Sequence, residues 1–349
     1  MIKTIDPLTD KRWDAFITDH PESTIFHHSA WARILTDIYQ CHPAYYILEN
    51  EDGEISAAAP FMWLKSPLTG KRLVCLPHSE LCYPLGYHEE DLGKLIAAIK
   101  DELNSSRSSY LEIRGWGKSG NPAKFNLKEH SYFLTHTIDL DGGLQKIRAG
   151  MDRNGRYNLR YAEKKPINIR VGQDEADLKQ FYRLTTITRK RHNLLPQPYR
   201  YFMSIYQHLI VPGHGYLLLA ELMGKIVAAN MYFCFKDIMY HEFNAQDPTY
   251  FEYRPNYLLV WKAIERACQE SYRSYNFGRT HRENQALSNF KKHWGSEETI
   301  LPYYFYPDVH GTSTIAKSSN IYKAYTTVNK FMPPFLLKYA GELLFRHMG

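Results

Sequence analysis

YNFGRTHRENQALSNFKKHWG, residues 275–295, reads as a strand, a sharp turn, a helix and a stop. Tyr275 and Phe277 alternate with small or polar residues, which is the period-2 pattern of a strand. Gly278 permits a turn at a point where a side chain would collide with the backbone. We therefore predict a short strand that leads through a tight turn into a helix.

The helix of this stretch carries its own start signal. Thr280 is followed three residues later by Glu283, a capping-box pattern that predicts the first turn of the helix at this point. The apolar residues of the helix recur three and four positions apart, as one core-facing stripe requires. They are Leu287, Phe290 and Trp294.

Two basic residues of the same stretch have two interpretations. Arg279 would lie just before the helix, and Lys291 lies in its last turn. In the first interpretation, the basic residues at the end of a well-capped core helix complement the helix dipole. In the second, Arg279 and Lys291 point into a cleft and hold an anionic substrate.

The run NFGRTHRENQALSNFKKHWG resembles the C-terminal signature of the Fem-like aminoacyltransferases, the FemAB-type relatives of the GNAT acyltransferase superfamily. Other segments are similar to the same family, and together they cover most of residues 20–308. They are FHHSAWARIL (26–35), RNGRYNLRYAEKK (153–165), FYRLTTITRKRHNLLPQP (181–198) and FNAQDPTYFEYRPNYLLVWKAIERAC (243–268). The resemblance implies an α/β (α+β) fold of two tandem GNAT-like domains, each a mixed, mostly antiparallel sheet flanked by helices.

An internal repeat independently indicates duplication. GEISAA (53–58) returns as GKIVAA (224–229), and the strand YLEIRG (110–115) returns as YNFGRT (275–280) at nearly the same spacing. The alternative is that hairpins with a glycine turn are simply common. We predict an N-terminal GNAT-like domain over residues 1–143, a C-terminal one over 144–308 that carries the signature, and a helical tail over 309–349.

Charge and cysteine content narrow the class of protein. The 349 residues carry a net charge of +6, with 43 basic residues mixed among 37 acidic ones. This balance lacks the dense basic run of a DNA-binding protein, so we expect no DNA partner. The five cysteines show no C-x-x-C spacing, and no signal peptide or spanning apolar run is present. We expect reduced core thiols and a cytoplasmic protein, possibly peripheral at the inner face of the membrane.

The segment that follows the first predicted domain is rich in arginine. Arg153, Arg156, Tyr157 and Arg160 share one face if the segment is helical. Arginine binds phosphate through bidentate hydrogen bonds, so an anion across this face would explain the charge density. The alternative is a solvated helix between domains.

The resemblance implies roles for several of these residues. Lys291 would be catalytic and stabilise the leaving oxygen or the developing oxyanion, while Phe290 would wall the channel beside it. Arg279, Arg153 and Arg156 would hold phosphate. The other candidate substrate-binding residues are Tyr157, Arg160, Tyr240, Arg254 and Tyr257.

The sequence leaves the donor open between aminoacyl-tRNA and acyl-CoA, with no tightly bound cofactor. Where catalytic GNATs often carry a glycine-rich coenzyme A loop, this chain has Arg254 and Pro255. Proline lacks an N–H, which argues against ordinary acetyl-CoA use, although Arg254 can still bind phosphate. The sequence shows neither a dedicated nucleophile nor a metal-ligand spacing, and Asp247 and Glu242 are weak candidates for a general base.

Three functions therefore stay open. The first is aminoacyl or acyl transfer to an amine of an anionic, phosphate-bearing or lipid-linked envelope precursor, with the tRNA acceptor end as a possible partner. The second is acyl-CoA-dependent N-acylation of an amino sugar, amino acid or exopolysaccharide precursor, and the third is a non-catalytic binding protein.

The tail mixes apolar residues with Lys330, Lys338 and Arg346. It would either pack on the second domain or lie on a membrane surface.

Overall fold

The structure, a computed structural model, describes residues 1–66, 70–106, 108–308, 327, 329–330 and 332–345. The helices of this part of the chain are α1 (Arg12–Asp19), α2 (Ser29–Tyr39), α3 (Glu89–Ser105), α4 (Gly143–Gly150), α5 (Arg153–Glu163), α6 (Glu175–Arg191), α7 (Tyr199–Ile205), α8 (Pro255–Gln269), α9 (Gln285–Lys292) and α10 (Pro334–Leu344). Short 3₁₀ turns are Ile25–His27, Pro122–Phe125 and Pro248–Tyr253, and Tyr206–Ile210 is a π-helical turn.

The strands are β1 (Ile2–Ile5), β2 (His42–Glu49), β3 (Ile55–Ser66), β4 (Gly70–Val74), β5 (Leu85–Gly86), β6 (Leu111–Arg114), β7 (Lys128–Asp139), β8 (Ile167–Val171), β9 (Gly215–Leu222), β10 (Lys225–Phe235), β11 (Ile238–Gln246), β12 (Ser274–His281) and β13 (Glu297–Tyr306).

The described residues divide into two compact units. Unit 1 takes residues 1–132, 301–308 and 342–345, and unit 2 takes residues 133–300 together with the described residues from 327 to 341. The division falls inside β7 and β13, whereas the sequence predicted domains over 1–143 and 144–308. The last residues of β13 belong to unit 1 because Tyr303 to Tyr306 pair with β6.

The sheet of unit 1 runs in the order β1, β2, β3, β4, β6 and β13. All neighbouring pairs are antiparallel except β4 and β6, which are parallel and are connected through α3. The short strand β5 pairs with the start of β3. A parallel pair needs such a crossover connection, which explains why the amphipathic helix lies between these two strands in the sequence.

The sheet of unit 2 repeats this plan. Its order is β8, β9, β10, β11, β12 and β7, and the only parallel neighbours among these described strands are β11 and β12, connected through α8. The repeated hexapeptides open β3 and β10, and the repeated strand motifs form β6 and β12. The two units thus share one order of pairing, which agrees with the duplication indicated by the sequence.

Helices cover both faces of the sheet in unit 2. Tyr232 belongs to the apolar core under α8, whereas the next residue, Phe233, contacts Phe243. Phe243 in turn contacts Phe181 of α6 and Phe202 of α7. Because successive side chains of a strand leave opposite faces, α8 packs on one face and the pair α6 and α7 packs on the other.

The signature stretch differs from its predicted start. Thr280 is buried within β12, and α9 begins at Gln285 with Asn284 as its N-cap, whose side chain accepts a hydrogen bond from the backbone N–H of Leu287 at 3.3 Å. The predicted capping box at Thr280 is therefore wrong. Gly278 (φ +71°) accommodates a β-bulge against β7 instead of ending the strand, so pairing with β7 continues to His281 and overrides the local cap signal.

The predicted apolar stripe of α9 is also partly wrong. Trp294 is buried, but Leu287 is 37% exposed. Ser288 and Lys291 occupy the buried side of the helix. The helix starts later than predicted and buries polar groups, which a pattern of apolar residues cannot reveal.

The described tail residues from 327 to 341 belong to unit 2 and pack on it. Lys190 Nζ of α6 donates to the carbonyl oxygen of Met332 at 2.5 Å, and Asn329 Nδ2 donates to the carbonyl oxygen of Asn193 at 3.3 Å. These contacts support the prediction that the tail packs on the second domain. The predicted polar linker lies outside the described residues, and membrane contact stays a prediction.

The cysteines are all free thiols, and Cys41, Cys75, Cys82 and Cys234 are buried. This agrees with the prediction of reduced core thiols. Among the described residues, no helix combines the length and the apolar character needed to cross a bilayer.

Candidate functional site

Two neighbouring strands of unit 2 separate part-way along their length. The parallel strands β11 and β12 pair only from residues 238–240 to residues 274–276, although both continue for several residues beyond this point. The register of β11 against β10 shifts at the same level, which makes Glu242 an extra, bulged residue. The place where this pairing ends, just beyond Tyr240 and Asn276, is here called the strand splay.

The side chain of Lys291 reaches into the strand splay. Its Nζ donates to the carbonyl oxygens of Gly278 at 2.7 Å and of Arg279 at 3.4 Å, and the residue is only 4% exposed. An ammonium group has several donors, so one side chain can bind two successive carbonyls. The arrangement fixes a positive charge beside the backbone of β12.

The equivalent opening in unit 1 is closed. After the parallel pair of β4 and β6, the chain turns back, and Cys82 pairs with Arg114 through two backbone hydrogen bonds of 2.8 and 3.0 Å. Arg114 also forms a buried ion pair with Glu112 at 2.8 Å and donates to the carbonyl oxygen of Ser79 at 2.9 Å. Backbone and side chain of the same unit therefore fill the position that the strand splay occupies in unit 2.

Aromatic residues from α8 and α9 pack beside Lys291. The ring of Tyr257 lies 5.4 Å from that of Phe290 and 5.6 Å from that of Trp294. Asn158 Nδ2 of α5 donates to the hydroxyl of Tyr257 at 3.0 Å. Burial raises the pKa of Tyr257, so this hydroxyl stays protonated and available as a donor. The predicted residues Tyr257 and Phe290 are thus in contact, and Phe290 precedes Lys291 in the sequence of α9.

Helix α5 is held against the end of α9. Asp152 caps α5 by accepting from the N–H of Gly155 at 2.6 Å, and its other carboxylate oxygen lies 2.6 Å from His293 Nδ1. A Cβ on Gly155 would overlap the carbonyl oxygen of His293. Gly155 therefore permits the close packing that places Asn158 beside Tyr257.

The arginines of α5 share one face as predicted, but they have different environments. Arg153 and Arg160 are exposed. Arg156 donates to the carbonyl oxygens of Ala149, at 3.1 Å, and Met151. The guanidinium of Arg156 is therefore engaged with the end of α4, and phosphate binding by these arginines stays a prediction.

Arg254 lies near α5. It precedes α8 in the left-handed conformation (φ 58°), and its guanidinium carbon lies 4.9 Å from the ring of Tyr161 and 5.6 Å from the ring of Tyr157. Such cation–π contacts hold the charge close to the start of α8. Tyr157 itself is 55% exposed, so its ring is accessible to a ligand.

Two predicted residues lie apart from this group. Tyr240 precedes His241 along β11, so its side chain leaves the opposite face of the sheet from that of His241. Arg279 belongs to β12, and its guanidinium carbon lies 4.5 Å from the ring of Phe133. Arg279 was expected to precede a helix, but the continuation of β12 places it within a strand.

Polar residues that the sequence did not single out hold α9 in place. One carboxylate oxygen of Glu298 accepts from Ser288 Oγ at 2.6 Å, from Lys292 Nζ at 3.0 Å and from His136 Nε2 at 3.0 Å. The hydrogen bond from Ser288, and then that from Lys292, holds the pKa of Glu298 below its usual value. These residues come from three elements, α9, β13 and the distant β7, so no local motif could have indicated them.

A second unpredicted residue is His241, the first residue of β11 beyond the parallel pairing. It is 8% exposed, and its Nδ1 lies 3.1 Å from the hydroxyl of Tyr275. Burial, and then the charge of Lys291, lowers the pKa of His241 to about 3. The imidazole is therefore neutral at physiological pH. A histidine within the strand-like run MYHEF was the available signal.

The weak base candidates have structural roles. Asp247 caps the short helix Pro248–Tyr253 by accepting from the N–H of Thr249 at 3.0 Å. Glu242 is the bulged residue of β11. Within the described part of the chain, no group of three or more His, Cys, Asp or Glu side chains could hold a metal ion.

A family model described as "Acetyltransferase (GNAT) domain" matches residues 149–292 of this chain. This segment contains α5, α8, β11, β12 and α9, and therefore the strand splay and Lys291. The lipid II:glycine glycyltransferase of Staphylococcus aureus is 26% identical to this chain over 244 residues, which represent 62% of this chain and 55% of that protein. The chain thus spans about half the length of the curated relatives it matches.

Solved structures are similar to a larger part of the chain. The crystal structure of FemX has a TM-score of 0.71 at 17% sequence identity and covers 87% of this chain and 96% of its own. A tandem GNAT protein from the clavulanic acid biosynthesis pathway has a TM-score of 0.53 at 11% identity, with coverages of 87% and 97%. At these identities the similarity concerns the fold, and it confirms the predicted α/β fold class.

Proposed function

Because this chain is a FemX-like member of the GNAT acyltransferase superfamily, as the signature at residues 276–295 indicated, we propose that it transfers an aminoacyl or acyl group to an amine of an anionic cell-envelope precursor. The observation that carries this proposal is the ammonium group of Lys291, fixed at the strand splay by the carbonyl oxygens of Gly278 and Arg279. Unit 1 has no such opening at the equivalent strands, so the reaction belongs to unit 2.

The chemistry needs positioning and charge stabilisation more than a reactive side chain. The acceptor amine attacks the carbonyl carbon of an ester or thioester, and negative charge develops on the carbonyl oxygen. Lys291 stabilises that oxygen or the leaving oxygen from its fixed position. A preorganised charge in a site with little water is worth more than the same charge in solvent, since it needs no reorientation during the reaction.

The acceptor class is inferred from charge and similarity. The S. aureus relative is named for transfer of glycine to lipid II, a lipid-linked precursor. Arg153 and Arg160 present exposed guanidinium groups on α5, and Arg254 adds a third cation at the start of α8. These charges suit the phosphates of such a precursor. A lipid-linked acceptor would bring the protein to the inner face of the membrane.

The donor is better explained as aminoacyl-tRNA than as acyl-CoA. Coenzyme A binding in this superfamily depends on backbone N–H groups before the helix that α8 represents. Here Pro255 removes one of those donors. The exposed ring of Tyr157 and the cation of Arg254 instead suit a nucleotide end, which binds by stacking and charge.

A donor screen tests the proposal. The protein is incubated with lipid II and either glycyl-tRNA or acetyl-CoA, and the products are analysed by mass spectrometry. We expect a glycyl amide of lipid II only in the reaction with glycyl-tRNA. Acetylation alone would establish the acyl-CoA alternative. Saturable lipid II binding without any product from a wider panel of both donor types would establish a non-catalytic binding protein.

A further inference from the structure

An exposed tyrosine of α5 belongs to a small group of rings and cations. The rings of Tyr157 and Tyr161, one helical turn apart, have centres 6.3 Å apart and planes that differ by 27°. The guanidinium carbon of Arg254 lies over both rings, 5.6 Å from the centre of the first and 4.9 Å from that of the second. Lys165 Nζ lies 4.2 Å from the ring centre of Tyr161. We call Tyr157, Tyr161, Lys165 and Arg254 the tyrosine platform.

The tyrosine platform carries positive charge that its own surroundings do not neutralise. Neither Arg254 nor Lys165 forms an ion pair with a carboxylate of the described residues. Glu163, the acidic residue of α5, is instead paired with Arg148 at 2.7 Å. Lys164, which follows α5, is exposed and adds a further cation. An anionic ligand is therefore attracted to this face without having to displace a carboxylate of the protein.

The ring of Tyr157 is both exposed and held in place. Tyr157 is 55% exposed, whereas Tyr161 and Arg254 are partly buried. Their contacts restrict the Tyr157 side chain, so a ligand that stacks on the ring requires little further ordering. Tyr87, the other exposed tyrosine of the described residues, has a different setting, because its hydroxyl donates to the Asp19 carboxylate at 2.8 Å. Of these two exposed tyrosines, only Tyr157 combines an accessible ring with neighbouring cations.

An exposed aromatic ring with cations beside it matches the chemistry of an unpaired nucleotide. The base stacks on the ring, and the phosphate is attracted by the cations. A base inside a duplex is already stacked on its neighbours, so such a platform favours single-stranded ends. A phosphate without a base would use the cations but not the ring.

The tyrosine platform adjoins the residues of the proposed acyl-transfer site. The backbone N–H of Tyr257 donates to the carbonyl oxygen of Arg254 at 3.0 Å, and both residues lie at the start of α8. Asn158, the residue after Tyr157, donates to the hydroxyl of Tyr257 at 3.0 Å. Tyr257 in turn contacts Phe290 of α9. A nucleotide bound on the platform therefore lies beside this site and not on a remote surface.

We infer that the tyrosine platform binds the unpaired 3′ end of the donor tRNA, with one base stacked on Tyr157 and phosphate beside Arg254 and Lys165. This inference rests on the proposed function, which takes the donor to be aminoacyl-tRNA. At about 100° per residue, Arg153 and Arg160 lie on the other flank of α5 and stay available for the phosphates of the acceptor. The adenine nucleotide of coenzyme A offers the same chemistry as the tRNA end, so the test includes both.

Binding of deacylated glycine tRNA tests the inference without turnover. Fluorescence anisotropy compares intact tRNA with tRNA that lacks its unpaired 3′ nucleotides, and equilibrium dialysis measures coenzyme A. We expect Tyr157→Leu to weaken binding of intact tRNA by about 5- to 150-fold, the range for one stacked base, and Tyr157→Phe to keep the wild-type affinity. Truncated tRNA should bind equally to the wild-type protein and to Tyr157→Leu. Tyr87→Leu is the matched control, because it removes an exposed tyrosine of unit 1, and it should bind intact tRNA as the wild-type protein does.

The remaining outcomes separate this inference from the proposed function. Equal affinity of the wild-type protein and Tyr157→Leu for intact tRNA would overturn the inference, and so would a loss that Tyr157→Phe shares, because stacking does not need the hydroxyl. A loss confined to coenzyme A binding would overturn both the inference and the proposed donor. If Tyr157→Leu binds tRNA normally while the wild-type protein transfers glycine to lipid II, only the inference fails. If tRNA binding follows the expected pattern but no product forms, the inference stands and the proposed function fails.

Discussion

Arg170 and Asp177 form a bidentate ion pair in unit 2, with N···O distances of 2.7 and 2.6 Å. The hydrogen bonds from Arg170 hold the pKa of Asp177 below its usual value. A carboxyl group with a lowered folded pKa stabilises the protein above its unfolded pKa, about 3.9, and that contribution is lost as the pH falls through the folded value.

We expect Asp177→Asn to lower the free energy of unfolding by about 1.5–3 kcal/mol at pH 7, because the hydrogen bonds to a charged acceptor are lost. The difference from wild type should stay constant between pH 6 and 8 and shrink below about pH 4. Urea unfolding at several pH values measures both. Glu175→Gln, which alters an exposed ion pair with Lys179, is the control and should change little. A difference that persists at pH 3 would contradict this account.

Single residues also mark where the sequence was informative. Lys291 and Phe290 were predicted as a pair from the signature, and the ring of Phe290 packs against that of Tyr257. His241 and Glu298 were not predicted, because each gains its role from partners on other strands and helices. The spacing of apolar residues predicts which face of one helix or strand is buried. It does not predict a hydrogen bond between two elements.

At the scale of elements, the contact between α5 and α9 has a simple test. We expect Gly155→Ala to lower the free energy of unfolding by about 1–3 kcal/mol, because the added methyl group overlaps the His293 carbonyl. Turnover should fall as well, since Asn158 would move away from Tyr257. Thermal unfolding and a turnover assay measure these effects.

Gly150→Ala is the matched control. Gly150 ends α4, and a Cβ there would meet nothing within 4 Å. The substitution should be neutral or stabilise the protein by up to about 1 kcal/mol, because alanine favours the helix. If both variants were equally stable, the close packing of α5 on α9 would be disproved.

Some elements were predictable from local pattern. The strand at β12 followed from the alternation of Tyr275 and Phe277 with small or polar residues. The start of α9 did not, because Thr280 continues a strand whose pairing with β7 outweighs a local cap worth about 1 kcal/mol. Tertiary pairing of this kind has no signature in the segment alone.

At the scale of the whole molecule, the two units share one order of strands but differ beyond their parallel pair of strands. In unit 1, the turn back from β4 pairs with Arg114 and closes the opening. In unit 2, the corresponding strands separate, and Lys291 Nζ donates a hydrogen bond to the carbonyl oxygen of Gly278. The repeat was visible in the sequence, but the closure was not, because it depends on a loop without a repeated counterpart.

We expect Arg114→Met to separate stability from activity. It leaves the buried carboxylate of Glu112 without its partner, so the free energy of unfolding should fall by about 3–5 kcal/mol. Turnover per folded molecule should stay near the wild-type value, because unit 1 takes no part in the chemistry. Denaturant unfolding measures the free energy of unfolding. A turnover assay, divided by the fraction of folded protein, measures the turnover per folded molecule. A large loss of turnover in the folded variant would show that unit 1 contributes to the reaction.

The central claim is that the buried ammonium of Lys291 at the strand splay supplies the charge for acyl transfer. The most direct test compares turnover per folded molecule for Lys291→Met and for its neighbour Lys292→Met, with glycyl-tRNA and lipid II as substrates. Lys291→Met should lose about 100-fold or more in kcat. Its free energy of unfolding should fall by about 2–6 kcal/mol, because two carbonyl oxygens are left unsatisfied at about 1–3 kcal/mol each. Lys292→Met should retain kcat. Equal turnover in the two variants, or a loss in Lys291→Met that tracks unfolding alone, would contradict the account.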